Sequence, residues 1–245
     1  MLNVPGVVSA TLLVLGLVHA VCELVLDPRA YVDVLLWFSF IPARYGPVVV
    51  PGLPRGLGVE TWTFVTYALI HGSLTHLVIN AVWLLAFGSA VARRFGAWRF
   101  LLFFAVTAAA GAAMHLATHD YERAPMIGAS AAISGFMAAA IRFVFQGGGP
   151  LGMWTRQEPQ AYHVPAAPLR AALSDPRILA FLAAWFGLNI LLGLGSLSLA
   201  GEDQRVAWQA HIGGFLAGLV LFPLFDPVRR RNKIKDRDAD PADLR

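Results

Sequence analysis

Apolar segments long enough to cross a lipid bilayer recur along this 245-residue chain. A helix rises 1.5 Å per residue and needs about 20 apolar residues to cross the hydrocarbon core. Only 14% of the residues are charged, against about a quarter in soluble domains, and 57% are hydrophobic. This pattern excludes an ordinary soluble fold and predicts an all-α, polytopic membrane protein built as a six-helix bundle. The six predicted spans are 7–26, 72–91, 98–116, 128–145, 178–197 and 206–225.

Basic residues are distributed unevenly among the loops that join these spans. They concentrate in the second loop (Arg93, Arg94, Arg99), the fourth loop (Arg142, Arg156, Arg170, Arg177) and the C-terminal tail. The positive-inside rule therefore predicts that both termini are cytoplasmic. Short basic loops favour a prokaryotic inner (plasma) membrane. Because the net charge of +4 lies outside the apolar spans, it indicates membrane orientation, and no nucleic-acid partner is expected.

The predicted spans place residues 1–228 in one membrane-embedded domain. Its first loop, 27–67, is long and rich in proline, glycine and aromatic residues, so we expect it to lie at the membrane interface. Residues 229–245 are charged and almost free of apolar residues, which predicts a flexible cytoplasmic tail. Nothing in the sequence indicates the oligomeric state.

Several polar side chains lie inside the apolar spans, where ionisable groups are costly and are candidates for function. His76 and Asn80 are one helical turn apart on span two, Ser130 opens span four, and His211 lies near the start of span six. All three spans enter from the same side of the membrane. We therefore expect these side chains at similar depth, in one shallow cluster on the non-cytoplasmic side.

A serine and a histidine at similar depth could act together as nucleophile and base. A neutral imidazole can take the proton of a serine hydroxyl, so Ser130 and His211 could form a catalytic dyad. The Ser130 backbone N–H, His76 and Asn80 could donate hydrogen bonds to an oxyanion, and Gly128 would let a substrate approach closely. In span six no carboxylate lies near His211, although Glu202 and Asp203 remain possible orienting groups.

Small residues on span six predict close packing of the helices that carry the dyad. Gly214 and Gly218 are four residues apart and lie one turn from His211. Such a pair lets two membrane helices approach at backbone distance, and span four is the expected partner.

Taken together, these motifs resemble the rhomboid family of intramembrane serine proteases. They are H-x4-H-x3-N (His71, His76, Asn80), G-x-S (Gly128, Ala129, Ser130) and A-H-x2-G-x3-G (Ala210, His211, Gly214, Gly218). The resemblance implies that Ser130 is the nucleophile, His211 the base, and His76 and Asn80 oxyanion-hole donors. It implies a cofactor-free endopeptidase that cleaves single-pass or other transmembrane protein substrates in the lipid bilayer.

The chain departs from the family pattern at four positions. Thr63 follows Trp62 where the family usually has arginine, Ala92 replaces a frequent glutamate, and Ala131 replaces a frequent glycine. Ser134 occupies a position that is commonly aromatic, and it is a rival nucleophile one turn below Ser130. Ser130 is preferred because it alone has the donor at the start of a helix.

Two other functions compete with proteolysis. One is a non-catalytic rhomboid-like scaffold or quality-control factor that binds transmembrane segments. The other is a haem or metal bundle built from His71, His76, His115 and His211, but no H-E-x-x-H pattern or carboxylate accompanies these residues, so no metal is expected. Taken alone, His115 is expected to be a helix contact, and His71 is either structural or a support of the site.

Overall fold

The computed structural model describes residues 4–151, 159–193 and 207–228, and these residues form helices with no β-strand among them. Four helices are long and apolar enough to cross a membrane. The all-α membrane bundle predicted from the sequence is therefore confirmed. Its helices are α1 (Gly6–Leu24), α2 (Pro28–Phe38), α3 (Leu57–Thr66), α4 (Leu74–Trp83), α5 (Ser89–Phe95), α6 (Ala97–Thr118), α7 (Ser130–Ala140), α8 (Leu169–Ala172), α9 (Pro176–Gly193) and α10 (Trp208–Phe225). A π-helical turn, Leu84–Gly88, joins α4 to α5, and together they form one continuous helix.

The fourth predicted span is shorter than the sequence suggested. Residues 128–145 were expected to cross the bilayer, but α7 has 11 residues and turns follow from Ile141. At 1.5 Å per residue such a helix covers about half of a 30 Å hydrocarbon core. All its residues from Ala131 to Ala140 are buried, so other helices rather than lipid surround it. Its ends can therefore lie inside the bundle.

Close packing around α7 depends on residues without side chains. A Cβ at Gly214 would overlap the Ala131 carbonyl, and one at Gly218 would overlap the Gly135 carbonyl. On the other side of α7, a Cβ at Gly111 of α6 would lie 2.5 Å from the Ala131 Cβ. The pairing of α10 with α7 is the contact that the spacing of Gly214 and Gly218 predicts.

The first loop is folded rather than extended. It contains α2 and α3, and the side chain of Arg44 is fully buried within it. The Arg44 guanidinium donates hydrogen bonds to the backbone carbonyls of Leu36, Ser39 and Pro54. Arg44 lies in a predicted loop of the sequence, but its buried side chain stabilises that loop from inside.

A second buried arginine ties together the opposite end of the bundle. Arg94, at the end of α5, forms a bidentate ion pair with Asp226 at 2.8 and 2.9 Å. It also donates to the carbonyls of Tyr162 and Val164, and its guanidinium lies 4.6 Å from the centre of the Phe143 ring. Arg94 therefore joins α5, the segment that follows α7, and the end of α10.

The proposed division between the 1–228 domain and the 229–245 tail stays a prediction, because the tail lies outside the described residues.

Candidate active site

Ser130 is the first residue of α7, and the residues before it adopt a backbone conformation that requires glycine at Gly128. Gly128 has φ +111°, a backbone conformation that residues with a Cβ rarely adopt. Its N–H donates to the Tyr67 carbonyl at 3.0 Å, which fixes the approach to the helix. The backbone N–H of Ser130 lies in the first turn of α7, where N–H groups have no partner within the helix.

His211 of α10 reaches Ser130 across the helix contact just described. The distance from His211 Nε2 to Ser130 Oγ is 2.7 Å, a hydrogen bond between two side chains that are 81 residues apart in the sequence. Both residues are partly exposed, whereas the residues that follow Ser130 in α7 are buried. The structure thus brings together the serine and histidine that the sequence analysis paired.

Asn189 of α9 is a member of this cluster that the sequence analysis missed. Its side-chain oxygen is hydrogen-bonded to Nδ1 of His211. Its amide nitrogen donates to the Trp185 carbonyl at 2.8 Å, which turns the oxygen towards the histidine. An oxygen partner holds the proton on Nδ1 and leaves the Nε2 lone pair facing the Ser130 hydroxyl.

A signal for Asn189 was present in the sequence, since it is an amide inside a predicted apolar span. The orienting groups expected from the sequence were carboxylates, whereas burying a neutral amide as the oxygen acceptor costs less free energy in a membrane. The alternatives considered, Glu202 and Asp203, lie outside the described residues.

His76 lies against the loop that precedes the serine. A Cβ at Gly128 would lie 2.6 Å from His76 Nε2, so glycine is required at Gly128 for this close approach as well as for its φ angle. The nitrogen of His76 next to Gly128 is Nε2. The other nitrogen, Nδ1, is buried and has no hydrogen-bond partner among the described residues.

Asn80 and His71 lie behind His76. The Asn80 amide donates one hydrogen bond to the His76 carbonyl at 3.0 Å, and an amide nitrogen carries a second N–H. The buried His71 ring packs edge-on against the His76 ring at 5.0 Å between centroids, and the His71 carbonyl is 3.0 Å from His19 Nδ1. His71 therefore packs against His76 from the side of α1.

Ser134 is separated from the cluster by its own hydrogen bond. It is buried, and its hydroxyl donates to the Ser130 carbonyl at 2.7 Å. The four-histidine set considered for haem or metal does not assemble in the described part of the chain, because His115 groups with His119 and Glu122 instead.

Comparisons with known proteins point to a single family. The family model for the Rhomboid domain matches residues 58–226, which include every helix from α4 to α10. The chain is 26% identical over 200 residues to RHOMBOID-like protein 5 of Arabidopsis thaliana, covering 77% of this chain and 55% of that protein. It is 35% identical over 82 residues to the Rhomboid protease GluP of Bacillus subtilis, covering 34% of this chain and 16% of that protein.

The chain thus spans about half the length of the Arabidopsis relative and a smaller share of the Bacillus one. The domain match covers well over half of the chain, and it contains Ser130, His76 and His211. This chain belongs to the rhomboid family of multi-pass membrane proteins.

Proposed function

We propose that this chain is a serine-type endopeptidase that cleaves transmembrane segments of other membrane proteins. The observation that carries the proposal is the 2.7 Å hydrogen bond between Ser130 Oγ and His211 Nε2. A serine hydroxyl hydrogen-bonded to an imidazole is the arrangement that activates a serine nucleophile. Rhomboid proteins as a family act on transmembrane substrates within the bilayer.

In the proposed reaction His211 Nε2 accepts the Ser130 proton as Oγ attacks the scissile carbonyl carbon. The bond from carbon to the leaving nitrogen then breaks, and that nitrogen takes the proton from His211. Nε2 of His211 then takes a proton from a water molecule, and that water attacks the carbonyl carbon of the acyl-enzyme ester. The bond from carbon to Ser130 Oγ breaks, and Oγ takes the proton back from His211. No cofactor takes part in this scheme.

The tetrahedral intermediate carries a negative oxygen that needs donors prepared in advance. The Ser130 backbone N–H, His76 Nε2–H and the second N–H of Asn80 are the groups proposed for this role. Each such donor is worth about 3–4 kcal/mol of transition-state stabilisation in well-studied proteases. The close approach of His76 to Gly128 supports its inclusion, since the scissile carbonyl must lie beside the residues before Ser130.

The membrane setting shapes the proposed substrate. A substrate helix must expose a carbonyl to Ser130, so a locally unwound segment is expected at the cut. We propose that the site opens towards the non-cytoplasmic side of a prokaryotic plasma membrane, with both termini cytoplasmic, as the basic loops suggest.

A direct test is to label the serine chemically. The purified chain is treated with a fluorophosphonate, digested, and analysed by mass spectrometry, while a parallel sample is incubated with a single-pass membrane substrate in proteoliposomes. The proposal predicts an adduct on Ser130 and a cut within or beside the substrate's transmembrane segment. Binding of the substrate with neither adduct nor cleavage would favour the non-catalytic scaffold.

Asn189 is expected to act as a positioning residue for His211. Replacing it with leucine removes the acceptor for Nδ1–H, and a hydrogen bond to a group that becomes charged contributes about 1.5–3 kcal/mol. We therefore predict that Asn189→Leu lowers kcat by about 10- to 100-fold with little change in KM. The measurement is the initial rate of substrate cleavage over a range of substrate concentrations.

The conservative variant distinguishes this role from a purely structural one. Asn189→Asp keeps an oxygen acceptor, so it should restore much of the rate at a pH where the carboxylate is ionised and should alter the pH profile of kcat. Equal losses in the leucine and aspartate variants, with unchanged pH profiles, would contradict a role in orienting His211.

A further inference from the structure

A second cluster of ligating side chains lies at the C-terminal end of α6, separate from the serine site. His115 and His119 are one turn apart and their rings stack at 4.3 Å between centroids. The Glu122 carboxylate lies 3.6 Å from His115 Nε2 and 4.0 Å from His119 Nε2. One ligand atom from each residue can be chosen so that all three atoms lie within 4.8 Å of one another.

These distances are close to what a zinc ion requires. Bonds of about 2.0–2.2 Å in tetrahedral geometry place neighbouring ligand atoms about 3.3–3.6 Å apart. The cluster therefore needs only small side-chain movements to coordinate the ion. Two imidazoles and one carboxylate, with water in the fourth position, form a common zinc ligand set. The pattern H-E-x-x-H does not describe this cluster, because its carboxylate follows the second histidine.

The surroundings of His119 prepare Nε2 for a metal. The Thr118 hydroxyl donates to a backbone carbonyl of α6, at 3.0 Å to Met114 or 3.1 Å to His115. The same oxygen lies 2.9 Å from His119 Nδ1, so it accepts the proton of that nitrogen. The Nε2 lone pair then faces Glu122. Hydrogen bonds of this kind orient histidine ligands in metal sites.

The burial of His115 also points to a missing partner. This side chain is 6% exposed, and among the described residues its Nδ1 has no hydrogen-bond partner. Its Nε2 lies 3.6 Å from the Glu122 carboxylate, which is longer than an ordinary hydrogen bond. A metal bound at Nε2 would give that nitrogen a close partner inside the buried site.

The turn that carries Glu122 is held in an unfavourable conformation. Tyr121 has φ +65°, a left-handed value that is uncommon for a bulky residue. The Glu122 carbonyl accepts a hydrogen bond from Ala43 N at 2.9 Å, which fastens the turn to the first loop. The Glu122 side chain is 40% exposed, so an ion could enter from water.

We propose that His115, His119 and Glu122 bind a divalent zinc ion that joins the end of α6 to the segment leading to Ser130. Ser130 follows Glu122 by eight positions, and Met126 between them pairs with Phe40 of the first loop. Bound zinc would therefore stabilise the segment that leads to Ser130 without taking part in the reaction. The proposal does not depend on proteolysis, because metal binding is measured without substrate.

The test uses the untagged full chain in detergent, stripped with EDTA and dialysed. Binding of zinc chloride is measured by isothermal titration calorimetry. After a second dialysis, the zinc retained per chain is measured by inductively coupled plasma mass spectrometry. We expect one zinc per chain and a thermal unfolding midpoint that rises with zinc concentration. Cobalt(II) should give the intense visible absorption of a tetrahedral site.

Variants of the two accessible ligands make the test specific. His119→Ala and Glu122→Gln should each weaken zinc binding by at least about tenfold. Asp120→Asn is the matched control, because it removes the same charge from an exposed neighbouring residue outside the cluster, and it should bind zinc normally. Failure of the wild type to retain zinc, or wild-type affinity in both ligand variants, would overturn the proposal.

Discussion

Replacing Ser130 with alanine is expected to lower the rate of substrate cleavage by at least about 10⁴-fold. Loss of the nucleophile in a serine protease removes the covalent pathway, and the remaining oxyanion donors cannot replace it. The initial rate of cleavage of a single-pass substrate in proteoliposomes measures the effect. The variant should remain folded, because the change removes one oxygen from a partly exposed side chain.

Ser134→Ala is the matched control for this prediction. It removes the same atom from the same helix one turn away, where the hydroxyl is hydrogen-bonded to the Ser130 carbonyl. Its rate should stay within about tenfold of the wild type, since the loss of one intrahelical hydrogen bond costs about 1 kcal/mol. Cleavage that survives in Ser130→Ala and disappears in Ser134→Ala would reassign the nucleophile.

Breaking the Arg94–Asp226 ion pair should be the most destabilising single change outside the site. The Arg94 side chain has no exposed surface, and that of Asp226 is 9% exposed. Removing one partner of a buried pair leaves the other charge uncompensated, which costs about 3–5 kcal/mol. We therefore expect Asp226→Asn to lower the free energy of unfolding by about this amount, as measured by chemical or thermal unfolding in detergent.

An exposed ion pair of the same chain offers a control for the Asp226 variant. Asp175 pairs with Arg177 at 2.7 Å, but the Arg177 side chain is 53% exposed. Because water solvates the Arg177 charge after its partner is neutralised, Asp175→Asn should leave the unfolding midpoint nearly unchanged. Equal destabilisation by the two variants would show that burial of Arg94 does not govern the contribution of its ion pair.

The sequence predicted the parts of the fold that depend on local composition. Helices cover the predicted segments 7–26, 72–91 and 98–116 to within a few residues. A long apolar run predicts a membrane-spanning helix from its own composition, without knowledge of its neighbours. Residues 128–145 were harder to interpret. Their alanines and glycines are equally compatible with a lipid-facing helix and with a short helix enclosed by others. Only the packing of α6 and α10 against α7 shows that the helix is enclosed.

The candidate site shows the same division. Ser130, His211 and the glycines that bring their helices together were found from residue type and spacing, since polar groups and small pairs are conspicuous in apolar spans. Asn189 was missed, because its role depends on the rotation of α9 relative to His211. The side chains of Arg44 and Arg94 resemble loop charges in the sequence, and only the structure reveals that both are buried.

The amino-acid sequence alone determined that this chain is a helical membrane protein, and it predicted that Ser130, His76 and His211 lie at similar depth in the bilayer. The hydrophobicity of a segment and the length of the helix it forms follow from its own residues, so both can be predicted without coordinates. The tertiary structure decided which polar atoms meet: Asn189 with His211, Arg94 with Asp226, and Glu122 with His115. Such contacts depend on how far one helix is shifted and rotated against another, and packing of the whole bundle sets those quantities.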